Sequence, residues 1–303
     1  MRVAVRAAVL LSFVSIAPIA HGQAGVQTPA GYPGVGEPVR ISMVSTGAEP
    51  RKALRYVVAK DYKGHMNMDM AMSMAMMGQS MDLPTMRIGA DMSVASISAT
   101  GDITYSMAFT GMEVLNSPDP SMAAVLAPLN ADLKNIAGTA TMTNRGLTRE
   151  TKIDVSKVSD PMLTQMMDSV NSSLNNISMP FPEEAVGIGA KWEVRQTIAS
   201  SGITMFQKVL CELTGYDGKT ATLKVTMEQT APSQSMKNPA LPPGMDVTLE
   251  SMTGSGAGTT AAALDALVPV SELLMKSSMT MAMAGQKMET ETTIKVQVSP
   301  VKK

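Results

Sequence analysis

From Val39 onward apolar and polar residues alternate with a period of two, the pattern of half-buried strands. It is strictest between residues 66 and 76, where Met66, Met68, Met70, Met72, Met74 and Met76 occupy every second position. Asn67, Asp69, Ala71, Ser73 and Ala75 fall between them, so one face is all thioether and the other small or polar. Gly78-Gln79 predicts a hairpin turn, and a return strand runs from Met81 to Val94. Its phase slips at Leu83-Pro84, which predicts a bulge because proline cannot donate to a ladder. Thr100-Gly101-Asp102 is a further turn, into Ile103, Tyr105, Met107 and Phe109.

Two segments carry a helical period instead. Residues 119–137 place apolar side chains at helical spacing and stop before Gly138, with Pro128 expected to kink or split them. Residues 160–177 open with Asp160 as N-cap and Pro161 in the first helical position. Met162, Leu163, Met166, Met167, Val170 and Leu174 then form one stripe. Between these segments, 139–155 predicts a hairpin turning at Asn144-Arg145-Gly146. Strands follow over 191–198, 204–214 and 220–229, then a proline-rich loop over 231–244, then strands near 246–254, 256–265, 270–284 and 287–298. The expected fold is mainly β (α+β): a long-stranded, curved antiparallel sheet in meander order, shaped like a half-barrel, with two helices on one side.

Residues 74–81 (MAMMGQSM) are echoed by 281–288 (MAMAGQKM). The echo predicts two similar methionine-faced hairpins, in one sheet or in two related halves, about 39–178 and 179–303. Ahead of this single β-rich domain, 39–303, residues 25–38 form a Gly/Pro-rich leader expected to be flexible.

The first 24 residues have the form of a signal peptide. Arg2 and Arg6 precede an apolar stretch, and small residues at Ala20, Gly22 and Ala24 follow, with cleavage expected after Gly22 or Ala24. No cysteine near that point could take a lipid, and no later run has the length and apolarity of a transmembrane helix. The expected location is therefore outside the cytoplasm, in the periplasm or the medium. Without Arg2 and Arg6 the 25 basic residues become 23 against 26 acidic ones, so the net charge moves from −1 to −3. That near-neutral balance argues against nucleic acid as a partner. With a single cysteine, Cys211, the chain can make no internal disulfide, and its fold rests on packing.

The candidate chemistry is narrow. His65 is the one histidine left after His21 departs with the leader, and neither a Gly-x-Ser-x-Gly elbow, a His/Cys zinc cluster nor a phosphate-binding glycine loop occurs. The sequence thus offers no catalytic residues and implies no cofactor. Cys211 in Val-Leu-Cys-Glu-Leu reads as a buried small apolar residue, and Trp192 as a packing anchor. The methionines remain: there are 30, while aromatic residues make up only 3% of the chain. That scarcity of aromatics also argues against an outer-membrane barrel, which needs aromatic girdles.

Methionine packs adaptably and also ligates soft metals. One reading makes Met66, Met68, Met70, Met72, Met74, Met76, Met279, Met281 and Met283 the wall of a groove for a hydrophobic small molecule such as a lipid. A second makes His65, Met66, Met68 and Met70 a copper(I) site, and a third makes the methionines core filler in a structural or interaction module. Alternate residues of a strand stand about 6.6–7 Å apart, too far for consecutive thioethers to share one ion without distortion, whereas neighbouring strands bring side chains within about 5 Å.

Three segments together resemble a group of exported bacterial proteins of unknown function. They are the methionine hairpin with its Gly78-Gln79 tip, the stretch Phe181-Pro182 through Val186, Gly189 and Trp192, and Gly254-Ser255-Gly256-Ala257-Gly258 before the second hairpin. The resemblance implies a long-stranded curved sheet with helices on one side, similar to the half-barrels of periplasmic lipoprotein carriers, and carries no catalytic residues with it.

Overall fold

In the computed structural model the described residues are 26–76, 78–116, 130–154, 179–200, 202–236, 247–283 and 286–301. They form one open antiparallel sheet of 13 strands. In chain order these are β1 (Arg40–Ser45), β2 (Lys63–Met76), β3 (Gln79–Ile97), β4 (Ile103–Leu115), β5 (Ala137–Met142), β6 (Thr148–Asp154), β7 (Lys191–Ser200), β8 (Ile203–Tyr216), β9 (Thr220–Ala231), β10 (Gln234–Met236), β11 (Val247–Ala263), β12 (Val270–Met283) and β13 (Gln286–Val301). Among the described residues the α-helix is limited to one turn at 130–133, at the end of the first expected helix. The rest of that helix and the whole of the one expected at 160–177 lie outside the described residues. Two helices are therefore not part of the architecture described here.

The spatial order is β1-β7-β8-β9-β11-β12-β13-β2-β3-β4-β5-β6, with β10 pairing β11 off this path. This corrects the expectation of one meander. There are two, β2–β6 and β7–β13, and the last strand of the second lies beside the first strand of the other. In that junction Thr290 pairs with Met76 and Val301 with His65. The two methionine hairpins, β2–β3 and β12–β13, are thus neighbours with their tips at the same end. β1 crosses from the N-terminal half to pair with β7.

The phase slip in β3 appears where proline demands it. Met70 pairs with Met86 and Met72 with Leu83, so two residues of β3, Pro84 and Thr85, oppose Ala71 alone. The bulge returns Met81 and Leu83 to the face that holds Met86 and Ile88. Behind it, Arg87 Nε and Nη2 donate to the two carboxylate oxygens of Asp69 at 2.6 Å each. The strands expected at 246–254 and 256–265 are one, β11, running unbroken through Gly254, Gly256 and Gly258. These glycines share a face, and a Cβ on Gly258 would run into the Glu272 carbonyl of β12. The missing side chain lets the β12 backbone approach closely there.

One end of the sheet, the base, is closed. Residues 46–62 and 179–190 lie across it, tied by the reciprocal backbone bonds of Lys52 and Val186 at 2.9 Å and by Tyr56 N–H donating to the Asn144 carbonyl at 2.7 Å. Phe181 and Trp192 are both fully buried, 6.3 Å apart, with Tyr56 5.4 Å from Phe181. Trp192 Nε1 donates to the Pro180 carbonyl at 3.1 Å, so the indole is buried with its polar atom satisfied. The Phe-Pro…Val…Gly…Trp spacing follows from this closure: Val186 bridges to Lys52, a Cβ on Gly187 would strike the Ala48 carbonyl, and Gly189 holds a φ of 82°. The leader lies on the sheet rather than hanging free. Tyr32 packs edge-on against Phe206 at 5.4 Å, and the Pro33 carbonyl accepts from Thr197 Oγ1.

Two outcomes follow. Trp192→Ala should lower the unfolding free energy by about 3–5 kcal/mol, read from urea denaturation, because it empties a fully buried site. The Arg87 hydrogen bonds hold the Asp69 carboxyl below its ordinary range. A depressed folded-state pKa contributes stability above the unfolded value, near 3.9, that is lost as pH falls through the folded one. Asp69→Asn should therefore cost on the order of 1 kcal/mol at neutral pH for this partly exposed pair and make the acid side of a stability–pH curve shallower.

Candidate functional site

The sheet curls far enough for strands from both halves to face a common hollow of about 660 Å³. Period-two alternation puts one residue in two onto its wall. Met66 and Met68 come from β2, Val296 and Val298 from β13, and Leu273 from β12. On the facing side stand Val225 and Met227 of β9, Val209 and Cys211 of β8, and Val194 of β7. The register carries these positions across the sheet, with Cys211 opposite both Trp192 and Val225, and Val296 opposite Met70. The aromatic packing of the base lies beneath.

Polar side chains interrupt the apolar wall, and four of them bond in pairs. Gln196 Nε2 donates to Gln207 Oε1 at 2.7 Å, while Gln207 Nε2 points at Met227 Sδ at 2.9 Å. The Thr260 and Ser271 hydroxyls lie 3.0 Å apart. Because these groups satisfy one another, the hollow can stay closed to water-seeking partners without leaving a buried amide orphaned. Charged residues reach it from its edges: Glu37 of the leader, Arg149 and Glu150 of β6, and Glu272 of β12. A hollow of this size, mostly apolar with a few fixed polar groups, has the make-up of a site for a small hydrophobic molecule.

The methionines expected to form one wall divide into groups. Met66 is buried and joins Met68 on the hollow. Met70, Met72, Met74 and Met76 continue the same face beyond it toward the tip, and Met76 is 47% exposed. Met279 and Met281 are elsewhere, packed with Met205, Met236 and Met252 around buried Ile203, Ala231 and Leu249. Met236 brings β10 to this second cluster, and beside it the buried Gln234 amide brackets Thr204, accepting from its N–H at 2.7 Å and donating to its carbonyl at 2.9 Å. Met283 sits at the last pairing of its hairpin, opposite Gln286 and Val247.

His65 is not brought together with Met66, Met68 and Met70. It projects from the opposite face of β2, its Nδ1 2.8 Å from Asp91 Oδ1 on β3. Sequence reading missed Val194, Gln196, Val209, Val225, Met227, Val296 and Val298, although the same alternation that marked the methionines marks them too. It also missed the short strand β10 within the proline-rich loop.

Cys211 is wholly buried, with Sγ 3.7 Å from Met179 Sδ, and burial pushes its thiol up to about 12. Thiolate is the reactive form. Iodoacetamide at mildly alkaline pH should therefore leave Cys211 unmodified in the folded protein and alkylate it fully in denaturant, as read by intact mass.

The model of a family of unknown function, DUF6263, matches residues 132–265, from the helical turn before β5 to the end of β11. No curated protein matches the chain. Among solved structures, a double mutant of the Rhodopseudomonas blastica porin is similar at 8% identity, covering 78% of this chain and 100% of that one, with a TM-score of 0.22. A triple mutant of the same porin gives 7% identity, the same coverage and the same TM-score. Scores that low carry no argument about fold or function. Among the described residues no helix is long and apolar enough to cross a membrane, a statement that leaves strands aside.

Proposed function

We propose that this protein is exported and binds a hydrophobic ligand, a lipid or acyl chain, in the hollow between its two half-sheets, without transforming it. The observation that carries the reading is the largely apolar wall contributed by β2, β7–β9, β12 and β13, closed at the base, in which the Gln196–Gln207 and Thr260–Ser271 pairs bond to each other. Burying an alkyl chain there replaces water contact with contact to methionine and valine at about 0.8 kcal/mol per methylene. Flexible thioethers on one side suit a chain of variable shape. The role narrows the methionine wall to Met66 and Met68. Met279 and Met281, packed around Ile203, Ala231 and Leu249, fit the reading of methionine as core filler instead.

Native mass spectrometry of the mature protein, purified from the exported fraction without detergent, tests this. The expected result is a heterogeneous adduct of several hundred daltons that disappears on organic extraction. Val225→Trp and Val296→Trp each place an indole into the hollow and should strip the adduct while leaving the far-UV circular dichroism unchanged. Met66→Leu with Met68→Leu nearly conserves volume and should retain it. An adduct that survives both tryptophan variants would place the ligand elsewhere, and a bare protein mass from gentle isolation would defeat the reading.

A further inference from the structure

The tip of the β2–β3 hairpin has a composition that the hollow does not explain. Met74 pairs directly with Met81, and Met76 is the next residue on the same face, opposite Gln79. Met76 and Met81 are each 47% exposed and Met74 is half-buried. A leucine would pack as well as a buried methionine, but half-exposed thioethers gain little from packing. Their position is also engineered by the backbone. In an unbroken ladder Met81 and Met86 would point to opposite faces, because an odd number of steps separates them. The bulge at Pro84-Thr85 supplies the extra residue that brings Met81 round to Met74. On β13 the flanking positions are Thr292 and Thr290, opposite Met74 and Met76, and Met72 with Leu83 is the next pair on the same face.

Directly paired residues hold their Cβ atoms about 4.5–5.5 Å apart and diagonal neighbours about 7–8 Å. Side chains as long and free as methionine can close both gaps to meet at one point. Three thioethers with no charge and no competing protons are a soft donor set, which favours Cu(I) over the hard divalent cations. We infer that Met74, Met76 and Met81 form a Cu(I)-binding site at the hairpin tip, separate from the hollow. The site differs from the one expected from sequence, His65 with Met66, Met68 and Met70. His65 lies on the other face of β2 beside Asp91, and Met66 is buried at the base end. The site needs neither the hollow nor its ligand, so it stands or falls independently of the lipid-binding proposal.

The test is anaerobic titration of the mature protein with Cu(I), delivered as its acetonitrile complex against the chromophoric chelator bicinchoninate. The wild type should withdraw one equivalent. The M74L/M76L/M81L variant should bind at least ~10-fold more weakly, since loss even of an outer partner to a metal ligand commonly costs that much. H65A should match the wild type. Equal affinity in the leucine variant, or no withdrawal of copper by the wild type, overturns the inference. A second measurement covers the case in which the triple variant does not fold. In wild-type protein carrying 13C-methyl methionine, one equivalent of Cu(I) should shift the three tip methyl signals, assigned from single leucine variants. Shifts confined to other methionines overturn the assignment.

Discussion

The ladder between β13 and β2 is the joint on which the rest of the architecture depends. Each half of the chain makes its own antiparallel meander, and neither could enclose anything alone. The twelve residue pairs from Thr290–Met76 to Val301–His65 fuse them into one sheet and set the register at which the second half meets the first. Because side chains alternate with a period of two, that register decides which residues of β13 stand beside the methionines of β2. It puts Val296 and Val298 next to Met70 and Met68; a slip of one residue would put Lys295 and Gln297 there. The apolar wall of the hollow thus depends on a single pairing between the chain's first and last long strands.

Curvature is the second requirement, and it has local causes. Gly254, Gly256 and Gly258 lie on one face of β11 between the two halves of the wall, where a Cβ on Gly258 would strike the β12 backbone, and the strip they leave free of side chains gives the sheet room to bend. At the base, Phe181, Trp192 and Tyr56 fill the narrow end, while Val186, Gly187 and Gly189 let residues 179–190 cross beneath the strands at backbone distance. The outward face carries directly opposed charges, such as Lys208 with Glu228 and Lys191 with Glu212, which keep that face in water and leave the apolar face no choice but the interior.

Much of this was legible in the sequence because it is local. Alternation located nearly every long strand, Gly78, Gly101 and Gly146 marked turns with the positive φ they require, and Pro84 announced its bulge. The repeated Met-Ala-Met…Gly-Gln tip anticipated two like hairpins. What escaped was long-range. No periodic signal says that β13 should choose β2, that β1 should leave its half to pair with β7, or that Gln234 should tie β10 to Thr204 of β8. The site suffered in the same way: the methionines drew attention by their rarity as a pattern, while the valines of β7, β8, β9 and β13, ordinary in any strand, stand along both sides of the wall. Gly254 to Gly258 fell at the break between two expected strands, yet β11 runs through them unbroken.

The chain has one tryptophan, and it is at the base, against Phe181 and Pro180. Its emission therefore reports on the aromatic plug and hardly at all on the long hairpins that rise away from it. An unfolding curve followed by fluorescence describes the base, whereas far-UV circular dichroism weights the strands. If the two traces coincide, plug and sheet melt as one cooperative unit. If ellipticity is lost first, the tips fray while the base still glows as folded, and a sample judged intact by its tryptophan could already have opened its methionine hairpins to solvent.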